Sequence, residues 1–197
     1  MLDSLRERFE GPLRERLEPV VQWLAARQMT PNQVTLAALG LSLLAALCIG
    51  SGWLRLGALV LIVASLGDLV DGMLARATDQ SSPFGAFFDS TLDRLSEGAV
   101  LAAVAYQFAI GGHPLLVATV VLALLGSLLV SYTRARAEAL GIECTVGLMS
   151  RAERTVLLIA GLLLGLLAPA VVLLAVLSLY TVGQRVQCVR EALDGRD

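Results

Sequence analysis

Four aspartates lie within 26 residues of this sequence, at spacings that helices would bring together. Asp68 and Asp71 are three residues apart, and Asp89 and Asp93 are four apart, so each pair shares one helix face. A turn signal at Ser81-Ser82-Pro83 separates the two helices, which can therefore pack antiparallel and collect the carboxylates. Such a cluster repels itself, and each charge costs at least about 2.5 kcal/mol near a bilayer centre. The pattern predicts bound hard cations, with two Mg²⁺ ions expected and Mn²⁺ as the alternative.

The residues around the aspartates fit phosphate chemistry. Gly72 and Gly85 lie on the same helix faces as the acids, where a small residue lets a ligand come close. Arg76 follows at a position suited to a phosphate. The alternative is that Arg76 and Arg94 neutralise the aspartates in salt bridges. Four carboxylates against two guanidinium groups leave two negative charges uncompensated, so the metal site is favoured.

The composition is that of a membrane protein. Of 197 residues 56% are hydrophobic and only 16% are charged, against about a quarter in ordinary globular domains. A net charge of −2 argues neither for nor against a nucleic acid, but the bilayer is the expected partner and no nucleic acid is expected. Six segments are candidates for spans of roughly 20 residues. These segments are 33–51, 54–77, 84–110, 114–136, 153–168 and 170–190. The expected fold is all-α and polytopic, with residues 30–197 forming one six-helix transmembrane domain.

Residues 1–29 are predicted to form a separate juxtamembrane element. Apolar side chains recur there at helical spacing, with Arg and Glu on the opposite face. The apolar positions are Leu2, Leu5, Phe9, Leu13, Leu17, Val20, Val21 and Leu24. This pattern is typical of an amphipathic helix lying along the membrane surface. A soluble extension that packs on the bundle is the alternative.

The arginines predict the orientation. Both ends of the chain and the loop between the fourth and fifth spans carry Arg, and an even number of spans puts all three on one side. The positive-inside rule therefore places both termini in the cytoplasm, in a cell (inner) membrane.

A second basic group lies on that predicted cytoplasmic side. It comprises Arg134, Arg136, Arg151, Arg154 and Arg185, and all fifteen basic residues of the chain are Arg. Guanidinium groups bind phosphates through paired hydrogen bonds, so their convergence suggests a phosphorylated substrate. The alternative is that these residues are only positive-inside anchors at helix ends.

The aspartate segment resembles the signature of the CDP-alcohol phosphotransferase family at every fixed position. It reads Asp68-x-x-Asp71-Gly72-x-x-Ala75-Arg76, then eight residues, then Gly85-x-x-x-Asp89-x-x-x-Asp93. The resemblance implies that Asp68, Asp71 and Asp89 ligate the metals. It further implies that Asp93 lies near the second metal and acts as general base on an acceptor alcohol. Members transfer a phosphatidyl group from a CDP-linked lipid and release CMP.

The resemblance extends to the expected substrate contacts. It implies that Gly72, Arg76 and Ser82 contact the CDP-lipid, either CDP-diacylglycerol or an ether analogue. Thr30-Pro31-Asn32-Gln33-Val34-Thr35 is similar to the segment placed beside the nucleotide, which assigns Pro31, Asn32, Gln33 and Val34 to that contact. The same residues also predict a helix start, with Thr30 as N-cap and Pro31 in the first turn. A homodimer is implied as well.

The acceptor is expected to be inositol 1-phosphate. The segments around Arg134, Arg151 and Arg185 resemble the branch of that family in which basic residues grip this substrate. Arg134, Arg151, Arg154 and Arg185 are then the expected phosphate ligands. Glycerol 3-phosphate, serine or another headgroup alcohol is the first alternative. A divalent-cation transporter is a remote one, because intramembrane acids also line ion paths.

Overall fold

The computed structural model describes the backbone of residues 2–194 and the side chains of residue 11 and residues 13–194. Over that range the chain is all-helical, without a β-strand, as the sequence predicts. The helices of the described range are α1 (Leu2–Ala26), α2 (Pro31–Gly50), α3 (Leu54–Ala77), α4 (Pro83–Ile110), α5 (Pro114–Ala139), α6 (Arg151–Leu164) and α7 (Leu167–Asp194).

Helices α2 to α7 coincide with the six predicted spans, but not all of them have the properties of a span. Among the described residues, α2, α3, α5 and α7 are long and apolar enough to cross a membrane. Helix α6 has 14 residues, which at 1.5 Å per residue is about 21 Å against a hydrocarbon core of about 30 Å. Helix α4 has 28 residues, but charged side chains interrupt its apolar run. The all-helical fold is confirmed, with four candidate membrane spans among the described residues, and the count of six stays a prediction.

One compact unit consists of Met1–Leu41 and Val63–Asp93. Its apolar core joins Val21 and Leu24 of α1 to Val34 of α2 and to Val70 and Leu74 of α3. The last turns of α1 therefore pack on α2 and α3. This packing corresponds to the predicted alternative, in which the N-terminal segment packs on the helices instead of only lying along the membrane surface.

The other side of α1 is open in this structure. Val20 is 45% exposed and Trp23 is 52% exposed, and Arg27 lies 4.2 Å from the centre of the Trp23 ring. Leu2, Leu5 and Phe9 of the predicted apolar face lie outside the described side chains. The predicted division of the chain after residue 29 stays a prediction.

The second compact unit consists of Ser42–Ile62 and Arg94–Asp197. Its core is formed by buried aliphatic side chains from six helices, among them Ile49, Leu101 and Leu174. Helices α5 and α7 approach closely at Gly126, where a Cβ atom would lie only 2.9 Å from the Ser178 Cβ. Small residues at such contacts are typical of membrane helix pairs, because they let the backbones come together.

The connection between α5 and α6 is fixed to α7. The Met149 N–H donates to Thr181 Oγ1 at 3.1 Å. Gly147 has a φ of +139°, and a Cβ atom there would lie 2.3 Å from Thr181 Cγ2. Only glycine fits both the backbone conformation and the space, so a side chain at position 147 would push the loop away from α7.

Candidate active site

A cavity of about 240 Å³ lies in the first unit, between the start of α2, the end of α3 and the start of α4. The predicted site residues that line it are Pro31, Asn32, Asp71, Gly72, Arg76, Ser82 and Asp89. Residues as far apart in the sequence as Pro31 and Asp89 therefore meet at one cavity, and Asp71 and Asp89 both line it, as the antiparallel pairing of the aspartate helices predicts.

Asp71 is the best-defined carboxylate of the site. Its side chain is 5% exposed, and its Oδ2 accepts a hydrogen bond of 2.7 Å from Thr35 Oγ1. The Thr35 hydroxyl also lies 3.0 Å from the Pro31 carbonyl oxygen. It has a single proton, and the shorter, charged acceptor takes it. The bond fixes the orientation of the Asp71 carboxylate at the cavity.

Two of the other three aspartates, Asp68 and Asp89, lie near Asp71. The charges of Asp68 and Asp89 lie close enough to Asp71 to act on it. Asp89 lines the cavity, whereas Asp68 and Asp93 are partly buried and are not among its lining residues. Within residues 11–194 no three acidic, His or Cys side chains are arranged to hold an ion by themselves.

This arrangement still fits a hard divalent cation. Mg²⁺ is usually bound by one or two carboxylates together with substrate phosphates and water, rather than by a cage of protein ligands. Asp71 and Asp89 supply two carboxylates at the cavity. The donor set is therefore suited to a metal that arrives with, or is completed by, a phosphate-bearing substrate.

Ser82 and Gly85 form the rim of the cavity at the start of α4. The Ser82 hydroxyl accepts a hydrogen bond of 3.0 Å from the Gly85 N–H, as an N-cap does. A Cβ atom on Gly85 would lie 3.1 Å from Ser82 Oγ and 3.5 Å from Asn32 Oδ1. Glycine at this position therefore keeps the cap and the Asn32 amide together.

Gly72 and Arg76 form the opposite side. A Cβ atom on Gly72 would lie 3.6 Å from Arg76 Nη1, at ordinary contact distance. Arg76 stands in the last turn of α3 with an exposed side chain. Its guanidinium can thus reach an anion held in the cavity.

Two predicted nucleotide contacts have other roles in this structure. The Gln33 side chain accepts a hydrogen bond of 3.0 Å from the Thr30 N–H, and Thr30 Oγ1 accepts one of 3.4 Å from the Gln33 N–H. This reciprocal capping box confirms the predicted helix start. Val34 is 8% exposed and belongs to the apolar core of the unit. Gln33 and Val34 are therefore absent from the cavity lining, unlike Pro31 and Asn32.

Thr35 and Gln80 line the cavity and are not among the predicted site residues, although Thr35 ends the segment that resembles a nucleotide contact. Thr35 lies three residues after Asn32 and four after Pro31, so helical spacing was a usable signal for it. Gln80 follows a left-handed residue, Asp79, with a φ of 53°. Its backbone N–H donates to the Ala75 carbonyl at 2.9 Å and closes α3. The spacing of the aspartates gives no hint of that turn.

The predicted phosphate-binding arginines lie in the second unit, and three of them form one group. Arg134 and Arg154 are close enough to Arg185 for their charges to act on it. Arg134 is exposed and pairs with Glu138 at 2.9 Å. Arg154 and Arg185 are 2% and 5% exposed. Arg151 begins α6 and is partly buried.

Arg185 is held by backbone oxygens. Its Nε donates to the Val146 carbonyl at 3.0 Å, and its Nη1 donates to the Val130 carbonyl. These partners are neutral, so the positive charge of Arg185 is not balanced by a carboxylate within these bonds. A buried guanidinium in that state favours an anion nearby.

The sequence matches a known family over most of its length. Residues 28–182 match the family model described as CDP-alcohol phosphatidyltransferase. An archaetidylinositol phosphate synthase of Methanothermobacter thermautotrophicus is 36% identical over 197 residues, which is 97% of each chain.

The structure is also similar to solved structures of a phosphatidylinositol phosphate synthase. The Mycobacterium tuberculosis phosphatidylinositol phosphate synthase with CDP-DAG bound has a TM-score of 0.82 and 32% identity, covering 87% of this chain and 92% of that one. The same enzyme in complex with manganese and citrate has a TM-score of 0.82 and 33% identity, covering 87% of this chain and 88% of that one.

Proposed function

This chain belongs to the CDP-alcohol phosphatidyltransferase family, and on that premise we propose that it transfers a phosphatidyl group from a CDP-linked lipid to inositol 1-phosphate, releasing CMP. The observation that carries this proposal is the cavity in which Asp71 and Asp89 lie with Arg76 and two glycines. Carboxylates, a guanidinium and room for a ligand are what a diphosphate bound through a metal requires. The reaction belongs to phospholipid biosynthesis.

The metal ligands in this proposal are Asp68, Asp71 and Asp89, with Asp93 near a second ion. Two Mg²⁺ ions are proposed, and Mn²⁺ is the alternative supported by the manganese complex of the M. tuberculosis enzyme. When bound, the ions neutralise charge on the diphosphate and on the departing CMP.

The side chains of the protein bind and orient the substrates, and one of them acts as the base. Pro31, Asn32, Gly72, Arg76 and Ser82 bind the CDP-lipid. Asp93 removes the proton from the acceptor hydroxyl, and that oxygen attacks the lipid-side phosphorus, breaking its bond to CMP. Positioning and electrostatic stabilisation supply most of the rate in such phosphoryl transfers. Gln33 and Val34 act indirectly, because capping and core packing fix the start of α2.

The acceptor assignment is supported by the basic group and by the relatives. Arg134, Arg151, Arg154 and Arg185 are proposed to bind the phosphate of inositol 1-phosphate. The relatives named above are an archaetidylinositol phosphate synthase and a phosphatidylinositol phosphate synthase. Their names include both archaetidylinositol and phosphatidylinositol, so the donor is either CDP-diacylglycerol or an ether-linked analogue.

The proposal includes a membrane arrangement. The apolar helices support a multi-pass protein of the cell membrane with six spans, both termini in the cytoplasm, and α1 partly in the interface. A homodimer is proposed from the family resemblance. Every charged group of the catalytic site then lies on the cytoplasmic side, where a soluble acceptor is available.

The first experiment measures CMP release by detergent-purified protein with Mg²⁺ and CDP-diacylglycerol. Inositol 1-phosphate, glycerol 3-phosphate, serine and free inositol are offered separately, and an ether-linked donor is tested in parallel. Release with inositol 1-phosphate alone is expected. Release with glycerol 3-phosphate instead would keep the family chemistry and overturn the acceptor. Cation flux without CMP release, in folded protein, would favour a transporter.

A further inference from the structure

The buried arginine Arg154 is held by a carboxylate that the reaction above does not use. Arg154 Nε donates to Glu97 Oε1 at 2.7 Å, and Nη2 donates to Glu97 Oε2 at 2.8 Å. The side chain of Arg154 is 2% exposed and that of Glu97 is 15% exposed. This is a parallel two-bond pair between α4 and α6, the geometry in which a guanidinium is most strongly oriented.

A third hydrogen bond holds the guanidinium of Arg154. Arg154 Nη1 donates to the Met149 carbonyl at 3.2 Å, and the Met149 N–H is itself held by Thr181. The guanidinium is thus fixed by α4, by the loop before α6 and, through that loop, by α7. These bonds hold the long side chain of Arg154 in one orientation.

Two N–H groups of Arg154 are not used by these three bonds. A guanidinium has five N–H groups, and the three bonds above use one on each nitrogen. One N–H is left on each Nη atom. Two such groups on neighbouring nitrogens match two oxygens of a phosphate.

The surrounding charges favour an anion as well. The charges of Arg134 and Arg154 both act on Arg185. Arg134 is bonded to Glu138, and Arg154 is bonded to Glu97. The bonds of Arg185 go to carbonyl oxygens. The group therefore has one positive charge more than its bonded carboxylates balance.

We propose that Glu97 is a positioning residue for the phosphate of the acceptor: it binds the Nε edge of Arg154 and thereby directs the free Nη edge to that phosphate. The inference rests on the proposed function and names a residue outside the metal and base set. It assigns Glu97, which follows Asp93 by four residues in α4, to acceptor binding rather than to metal binding.

Positioning by Glu97 and simple electrostatics predict opposite changes in acceptor affinity when the charge of Glu97 is removed. Removing a negative charge beside an anion site strengthens anion binding if charge alone matters. Glu97→Gln removes the charge and also replaces one acceptor oxygen by an NH₂ group, which cannot accept from Arg154. If Glu97 acts by positioning, the variant binds the acceptor more weakly.

The test measures KM for inositol 1-phosphate, KM for the CDP-lipid and kcat in Glu97→Gln. An increase of about tenfold in the acceptor KM is expected, corresponding to about 1.4 kcal/mol, with the CDP-lipid KM within about twofold. Asp194→Asn is the matched control, because it removes one carboxylate from an exposed pair with Arg190. Inositol 1-phosphate binding by calorimetry gives the same comparison without turnover.

A double-variant comparison separates positioning from a general structural role. Glu97→Gln is expected to weaken acceptor binding only where Arg154 is present, and not in an Arg154→Ala background. An equal loss in both backgrounds, or an unchanged or lower acceptor KM in the single variant, would overturn the inference. If Glu97→Gln does not fold, Glu97→Asp replaces it: the charge stays, the carboxylate is one methylene shorter, and the same increase is expected. No CMP release by the parent enzyme with inositol 1-phosphate would instead refute the proposed function.

Discussion

Replacing Thr35 by valine removes the hydroxyl that donates to Asp71 while keeping the shape of the side chain. The two groups are 4% and 5% exposed, and their oxygens are 2.7 Å apart. The variant leaves a buried carboxylate with one partner fewer, and that carboxylate is a proposed metal ligand.

The magnitude follows from the kind of hydrogen bond. A bond to a charged group contributes about 1.5–3 kcal/mol, which corresponds to about a 10- to 150-fold change in an equilibrium constant. Residues that orient metal ligands change metal affinity or activity by about 10- to 100-fold when they are removed. Thr35→Val is therefore expected to raise the Mg²⁺ concentration that gives half-maximal activity by about 10- to 100-fold.

The assay measures CMP release as a function of Mg²⁺ concentration, together with the Mg²⁺-dependent rise in melting temperature. Thr35→Ser keeps the hydroxyl and is expected to match the parent in both measurements. If Thr35→Val and Thr35→Ser depend on Mg²⁺ in the same way, Thr35 does not orient a metal ligand, and the assignment of Asp71 loses its support.

Three further predictions concern Asp93, Gly85 and Cys144. Asp93→Asn is expected to abolish turnover while CDP-lipid binding stays within about twofold, and near-normal activity would rule out Asp93 as the base. Gly85→Ala brings a Cβ atom to 3.1 Å from Ser82 Oγ and is expected to raise the CDP-lipid KM about tenfold. Gly40→Ala meets nothing within 4 Å and serves as its control, so equal KM values for the two variants would contradict the cavity assignment. Burial raises the pKa of the Cys144 thiol to about 11, so the thiol stays protonated at pH 8. We expect Cys144 to be alkylated much more slowly in the native protein than after unfolding, with the rates measured by mass spectrometry. Equal rates in the two states would contradict its burial.

The sequence predicts the helices of this protein well because residues that start helices or form turns separate the apolar segments. Prolines at positions 31, 83 and 114 are the first residues of α2, α4 and α5. Pro31 is predicted to start a helix, and the other two lie within one residue of the predicted starts at 84 and 114. The aspartate spacings predict that α3 and α4 bring Asp71 and Asp89 to one place, and both line the cavity. Helical period and turn residues are local properties, so they can be read without tertiary information.

The parts that the sequence does not predict depend on tertiary packing. Gln33 and Val34 stand in a recognisable segment, yet one caps a helix and the other is buried in the core. Helix α6 ends at Leu164, followed by a left-handed Gly165, so it is shorter than the apolar run suggests. The partner of Arg154 is Glu97, 57 residues away, and no local pattern connects them.

The most direct test of phosphatidyl transfer follows the lipid-side phosphorus of the donor. CDP-lipid labelled at that phosphorus is incubated with the enzyme, Mg²⁺ and inositol 1-phosphate, and the label is located after separation of the products. The expected result is one labelled phosphatidylinositol phosphate for each CMP released, with no label in CMP. Label in CMP, or CMP release without a labelled inositol lipid, would contradict the account.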